Sequence, residues 1–575
     1  MMRKSSLCIT SVLVLTVLLL WAWKKNDTVE PIFYAKPVAT PITMCGSFTY
    51  DWSDTLIQKA RLLPGLGDLR YPVSTTSLEA QAYFEQGLKL VYAFNHWEAI
   101  QAFRAAIQLD ANCAMAYWGL ALAYGPNLND VNPKDRERIA YESIQKAIAK
   151  KAYVSPTERD FIDAMAARYN GKAYDNRDSL NQAYASAMLQ LAKKYPTNVE
   201  AQTLCADAIM NTMPWDYWEK DGSPKAATAE AKTVLEKTLK QFPNHPGAHH
   251  LYIHLVEASP LPEQALPSAQ FLENAMPGAG HIIHMPAHIY LRTGQYARSV
   301  EVNQRAVKAD EEYLANSDNR GMYRFGYYPH NVDFISYSSY MEGRSSLAIQ
   351  TALKLAYKGG LITESNPVFA QYFSVEPLIA FIRFGKWNDI LSLPEPDDKL
   401  IYAKLMWHFA RGMASVRSGY LQQAQHELVK LDSLCKLDTL QQIYFSFNPV
   451  SDIVKVPLHL LRGEVLRKQS NVEEGLQALQ EAVTAEDDLR YMEPPDWKIP
   501  SRHFLGAALL ETGKFAESEQ VYLQDLKRNP ENGWSLTGLQ QCQLKLGKKT
   551  EMVSTAKRFS QAWKNSDVAI SASRY

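Results

Sequence analysis

From about residue 77 to 562 the apolar positions recur at three- and four-residue intervals, in blocks a few turns long that end in short polar turns. In "GLKLVYAFNHWEAIQAFRAAIQLDANCAMAYWGLALAYG" the run through Leu88, Leu90 and Val91 breaks at Asn95. Ala99, Phe103 and Ala106 then resume at helical spacing before Asp110. A period near 3.6 with turns this close together predicts antiparallel helix pairs. No window sustains the apolar alternation of a half-buried strand, so the expected class is all-α with almost no sheet. The pattern weakens near 150–190 and 365–400.

The N-terminal run has another character. "LCITSVLVLTVLLLWAW", Leu7 to Trp23, is flanked by Arg3 and Lys4 on one side and by Lys24 and Lys25 on the other. Its length suits the roughly 17–25 residues that cross a bilayer. No small-x-small cleavage site follows, and Trp21 and Trp23 stand where one would be, so it reads as an uncleaved signal anchor. Basic residues on both flanks leave the orientation open. Its place at the start of the chain implies a membrane-anchored protein whose main domain is exported (periplasmic or extracytoplasmic). The expected organisation is 1–25 anchor, 26–76 tether and N-terminal extension, 77–242 N-terminal repeats, 243–362 three histidine-bearing hairpins, 363–562 C-terminal repeats and 563–575 tail.

The hairpin quoted above shares its spacing with "RTGQYARSVEVNQRAV", "MEGRSSLAIQTALKLA", "RSGYLQQAQHELVKL" and "ETGKFAESEQVYLQDLKRNPENGWSLTGL". In this spacing the chain resembles the tetratricopeptide repeat (TPR) family, whose repeat of about 34 residues sets small residues where paired helices touch. The resemblance implies a right-handed TPR-type superhelix, an α-solenoid of antiparallel helix pairs, with a concave groove for a protein or peptide ligand. The strings "FNHWEAIQAF", "CAMAYWGLALAYGPN", "HHLYIHLVEASP", "GHIIHMPAHIY" and "YYPHN" are similar to those of large bacterial TPR proteins with histidine-bearing repeats. That likeness reinforces the fold and implies no reaction.

Charge narrows the partners. Lys+Arg and Asp+Glu both number 61, which leaves no basic footprint and argues for no nucleic acid partner. The six cysteines are far apart with no CxxC, so neither a disulfide framework nor a thiolate zinc site is expected. No GxSxG, Walker loop, helix-opening GxGxxG or HExxH occurs.

Histidine is the exception to this plain composition. Seven of the 13 lie between His245 and His288. Adding one repeat length of about 34 to His250 and His254 gives His284 and His288, so these residues keep register with the repeat. With Gly294 as the turn glycine, His281, His284 and His288 take the second, fifth and ninth positions of a first helix and share one face. His250, His254 and Glu257 share a face in the preceding hairpin, and His330, Asp333 and Tyr337 in the following one. Asp207 reaches a ninth position one hairpin earlier, and His503 a fifth position in a late repeat. His245 and His249 fall off the shared face. His96, His408, His426 and His459 read as ordinary satisfied histidines. In the TPR family the second, fifth, ninth and twelfth positions line the concave groove, which would place the imidazoles there.

The expected metal set is therefore His250, His254, Glu257, His281, His284, His288, His330 and Asp333, with Asp207 as a further carboxylate. Adjacent first helices pack about 8–10 Å apart, close enough for neighbouring imidazoles to share an ion. The set exceeds one four-coordinate shell, so two metals, or one metal with supporting histidines, both fit. An imidazole and carboxylate mixture without cysteine suits a divalent transition metal (Zn, Fe, Mn, Ni or Cu) and Cu(II) more than Cu(I).

Two functions compete. One is a membrane-anchored TPR scaffold binding a protein or peptide beside a structural metal. The other is a metalloenzyme activating water or dioxygen, with Glu257, Asp333 and Tyr337 as catalytic candidates and Tyr327 and Tyr328 shaping the pocket. A metal-free polar groove or a glycan-binding protein is a third reading. The loop "MPWDYWEKDG" reads as packing between repeats rather than as a cover for the groove.

Overall fold

The computed structural model describes residues 60–575 apart from 132–133, 173–175, 318, 320–321, 362–366 and 446. The anchor reading of Leu7–Trp23 and most of the tether lie outside the described residues. Among the described residues, no helix is long and apolar enough to cross a membrane. Every named element is helical, with isolated bridges such as Asn127 to Asp130 at loop ends.

The chain divides into two compact units, Cys45–Asn331 and Val332–Tyr575. The division falls inside the block expected to hold three histidine-bearing hairpins. All six histidines of the expected metal set belong to the first unit; Asp333 and Tyr337 belong to the second.

Each unit repeats the same packing device. In the first, α1 (Leu78–Tyr92), α2 (His96–Leu109) and α3 (Ala114–Tyr124) succeed one another. Phe103 of α2 is fully buried against Gly87 and Gly119, and a Cβ at either glycine would collide with its ring. In the second unit Tyr522 sits in the same way against Gly506 and Gly538. Both rings stand midway between their glycines along the chain. A large ring lodged between two residues without side chains lets three successive helices approach closely, which is how TPR-type pairs stack.

The hairpin turns are equally regular. Gly294, Gly343, Gly419 and Gly513 all have positive φ, between 73° and 82°, as a helix C-terminus that ends in the left-handed region requires. One hairpin departs from this. Between α1 and α2 the same position is held by Phe94, at φ 54°. Its hydrogen bonds match those at Gly294: Phe94 N donates to the Val91 carbonyl and Asn95 N to Leu90, as Gly294 N does to Leu291 and Gln295 N to Tyr290. A benzyl side chain here costs about 1–2 kcal/mol relative to glycine. Something must make that cost worth keeping.

Candidate metal centre

The site is assembled in the first unit from α4 (Pro246–Val256), the consecutive α5 (Gly280–His284) and α6 (Pro286–Arg292), α7 (Tyr296–Leu314) and the start of α8 (Tyr328–Met341). His245 caps α4, its Nδ1 accepting from Ala248 N at 3.0 Å, while Pro246 at the first helical position needs no donor of its own. Pro286 divides what the spacing suggests is one helix, because it has no N–H to donate. Met285 at the break stays helical, φ −50° and ψ −38°, so His281, His284 and His288 keep their common face.

The imidazoles are held by their Nδ1 atoms. His250 Nδ1 lies 2.6 Å from the Tyr92 carbonyl, and His254 Nδ1 lies 3.0 Å from Glu257 Oε1. His288 Nδ1 lies 2.5 Å from the other oxygen, Glu257 Oε2. His284 Nδ1 lies 2.6 Å from Asn303 Oδ1, and the Asn303 amide nitrogen donates to the Ser299 carbonyl, which fixes that amide's orientation. Carbonyl and carboxylate oxygens only accept, so the Nδ1 atoms of His250, His254 and His284 carry the proton, while His288 Nδ1 faces Glu257 Oε2 at ion-pair distance. In a neutral imidazole the Nε2 is then a bare lone pair.

Those lone pairs face one another. His250 Nε2 and His254 Nε2 are 3.0 Å apart, and His284 Nε2 and His288 Nε2 are 2.8 Å apart. When both rings of a pair are neutral and Nδ1-protonated, two acceptors meet at hydrogen-bond distance, and each buried acceptor left so costs roughly 1–3 kcal/mol. With metal–nitrogen bonds of about 2.0–2.1 Å, two imidazole nitrogens on a tetrahedral ion stand about 3.3 Å apart. The observed spacings are a few tenths of an ångström shorter, so an ion would part each pair slightly.

A third histidine completes each pair. His250, His254 and His281 have ring nitrogens within 4.8 Å of one another, as do His284, His288 and His330. Neither ring nitrogen of His281 has a hydrogen-bond partner among the described residues, although the residue is buried. None of the six is more than 5% exposed. The two groups adjoin: His254 and His288 have ring centroids 5.9 Å apart, and His281 and His284 6.0 Å. Glu257 spans both groups with one oxygen each. Burial works to raise its carboxyl, but the His288 and His254 rings outweigh it and hold the group below the usual carboxylate range. Burial first, then the neighbouring imidazoles, pulls His281 and His284 well below their usual value.

The cluster is covered where the sequence suggests an open groove. Phe94 stacks on His254 and His281 at 5.7 and 5.6 Å and lies 4.4 Å from His250. Trp215, from the loop read as simple packing, meets His254 edge-on at 5.1 Å, and Tyr327 lies 4.3 Å from His281. Trp215 also has a positive φ, 61°, so both non-glycine residues with positive φ among the described residues of this unit rest on the histidines. Backbone outliers of this kind gather where the surroundings over-determine a functional geometry.

No protein-family model matches the chain, and no curated protein does. Among solved structures the chain is similar to the human IFIT1 dimer with m7Gppp-AAAA, at 14% identity and TM-score 0.33, over 78% of this chain and 90% of that one. It is also similar to the APC/C hetero-tetramer Cut9–Hcn1, at 12% identity and TM-score 0.27, over 85% and 95%. The likeness concerns helical build, and the site is read from its own geometry. The IFIT1 dimer is in complex with an RNA, while the expectation of no nucleic acid partner for this chain rests on charge balance alone.

The remaining expected residues are placed elsewhere. Asp333 Oδ1 accepts from Lys498 at 2.6 Å, and Glu376 accepts from the same ammonium. Asp333 is thus held by a buried cation in the second unit. Tyr337 donates to Asn529 at 3.3 Å. Asp207 joins neither histidine group; burial raises its carboxyl to about 6 against the pull of Arg168. His503 Nε2 pairs with Asp525 at 3.0 Å. Sequence reasoning missed Phe94, Asn303 and the Tyr92 carbonyl, and read Trp215 too plainly. Phe94 alone left a signal, as the non-glycine in a series of turn glycines.

Proposed function

We propose that the chain is a TPR-type α-solenoid metalloprotein whose first unit holds two transition-metal ions, one on His250, His254 and His281 and one on His284, His288 and His330. The observation that carries this is the pair of Nε2···Nε2 contacts, 3.0 and 2.8 Å, beside Nδ1 atoms of His250, His254 and His284 that are committed as donors. A metal ion supplies the positive centre both pairs lack. Glu257, Asn303 and the Tyr92 carbonyl then serve as the outer partners that fix the Nδ1–H tautomers.

Three protein ligands per ion leave a coordination position for a small molecule, the arrangement of reactive metal sites rather than structural ones. The cover of Phe94, Trp215 and Tyr327 suits a small ligand better than a peptide. This favours the metalloenzyme reading over the peptide scaffold, with Glu257 orienting ligands instead of acting as one. The right-handed superhelix, the N-terminal membrane anchor and export of the main domain remain part of the proposal.

The test is elemental analysis of the full chain purified without chelator, beside a His250/His284/His288 triple alanine variant. Two metal equivalents in the parent and none firmly held in the variant are expected. A parent that stays metal-free after exposure to Zn, Fe, Mn, Ni and Cu would sink the reading, and equal content in the variant would move the site elsewhere.

A further inference from the structure

Resting on the two-metal reading, we infer that the metal pair is copper and that its ligand is dioxygen, bound between two Cu(I) ions and reduced there by two electrons.

The donor set argues for Cu(I). With carboxylates counted as ligands, the sequence favours Cu(II) and other dications. In the folded chain both oxygens of Glu257 face Nδ1 atoms and Asp333 is occupied by Lys498, so each of the two histidine groups offers three imidazoles and no carboxylate. Three neutral imidazoles satisfy a three-coordinate Cu(I) ion, which requires no anionic ligand. Two dications would bring four positive charges into a buried pocket whose metal-facing imidazoles carry none to offset them, and uncompensated buried charge is expensive. Two Cu(I) ions bring half that charge.

Dioxygen keeps that balance. Each Cu(I) gives one electron to O2, forming two Cu(II) ions and an O2 dianion between them. The copper–oxygen bonds form as the O–O bond order falls from two to one, and no proton or outside reductant enters. The net charge of the copper pair, its dioxygen and Glu257 is the same before and after. A buried site that desolvates charge poorly is thereby suited to this step. The approach is suited as well, because dioxygen is small, neutral and apolar, and the wall beside His250, His254 and His281 is Phe94, Trp215 and Tyr327. Glu257 links His254 of one group to His288 of the other, so it sets the relative orientation of the two copper sites.

The test loads the metal-free full chain anaerobically with Cu(I) and then admits oxygen, measuring copper content, oxygen uptake, absorption and electron paramagnetic resonance. Two Cu(I) per chain, one O2 taken up per two copper ions, a new intense near-ultraviolet charge-transfer band and no resonance signal, as for two coupled Cu(II) ions, are expected. His330→Ala and His250→Ala should each retain one copper, lose oxygen uptake and give a mononuclear Cu(II) signal after chemical oxidation. Phe94→Gly, which relaxes its turn, should bind two copper ions and take up oxygen, with azide reacting several-fold faster. Two coppers per chain without oxygen uptake, or a mononuclear signal from the parent, would overturn the inference and leave the two-metal reading standing. Uptake of two zinc or iron ions with no retention of Cu(I) would do the same. A chain that binds no metal at all removes both.

Discussion

His284 in the first unit and His503 in the second hold the same fifth position of a first helix by register, and both are fully buried. Their surroundings differ in one respect. His503 Nδ1 accepts from Arg383 Nη1 at 3.1 Å and its Nε2 donates to Asp525 at 3.0 Å, one acceptor and one donor, which is all a neutral imidazole has to offer. His284 donates through Nδ1 to Asn303, and its Nε2 meets another acceptor, His288 Nε2. Register and burial are common to both, so neither identifies a site. What separates them is that His503 meets one donor and one acceptor, whereas the Nε2 of His284 meets a second imidazole nitrogen. The carboxylates repeat the contrast. Asp333 and Glu376 surround the Lys498 ammonium, whereas Glu257 receives only imidazole N–H groups that point metal-ligating nitrogens at one another.

The closed networks should break with a large loss of stability and no loss of metal. Lys498→Met leaves two buried carboxylates without their cation and should cost about 3–5 kcal/mol. Chemical denaturation should show this while the metal content per folded chain stays unchanged. His503→Ala, which removes the partner shared by Asp525 and Arg383, should follow at about 3 kcal/mol, again with full metal. A fall in metal content in either variant would erase the distinction between the two regions.

The open network should respond in the opposite manner. Glu257→Gln keeps the shape but cannot accept from both His254 and His288 as a carboxylate does, so metal affinity should fall about 10–100-fold in a competition titration. The stability of the metal-free chain should change far less than in Lys498→Met. Phe94→Gly should be smaller still: relief of the left-handed turn offers about 1 kcal/mol, offset in part by the lost stacking on His254 and His281. Thermal melts should place this variant within about 1 kcal/mol of the parent.

Acid sharpens the comparison last. Burial, against the pull of Asp525, holds the His503 imidazole below its usual value. The unfolded chain therefore takes the proton first, so the stability His503 contributes is full above about pH 6.5 and is lost as pH falls through the folded value. His250, His281 and His284 are shifted in the same direction, burial being the main cause, so the metal-free chain loses stability over the same window. Melting midpoints of the metal-free chain should fall as pH drops from about 7.5 toward 5.5. His503→Ala should flatten only part of that slope. A slope wholly removed by His503→Ala would show that the histidine cluster does not titrate as a buried group.

The helix pairs were legible because Gly87, Phe103 and Gly119, and Gly506, Tyr522 and Gly538, record packing in spacing along the chain. The histidine groups were legible for the same reason: His250 and His254 recur as His284 and His288 one repeat later. Partners brought together by the fold were not. Nothing near Asp333 announces Lys498, 165 residues away, and nothing near His250 announces the Tyr92 carbonyl, 158 residues away. The shared helical face follows from spacing, but its cover depends on the backbone angles of Phe94 and Trp215, which hydrophobic periodicity does not encode. Glu257, a carboxylate in register with the histidines, could be read as a ligand from spacing alone, and only the Nδ1 distances show that its oxygens face imidazoles.

The most direct test of the central claim is anomalous diffraction from crystals of the metal-loaded chain, collected on either side of the absorption edge. Two peaks are expected, one bonded to His250 Nε2 and His254 Nε2 and one to His284 Nε2 and His288 Nε2, with Glu257 still bridging the two Nδ1 groups. No peak between either pair, or a metal held by Glu257 or Asp333 instead, would contradict it.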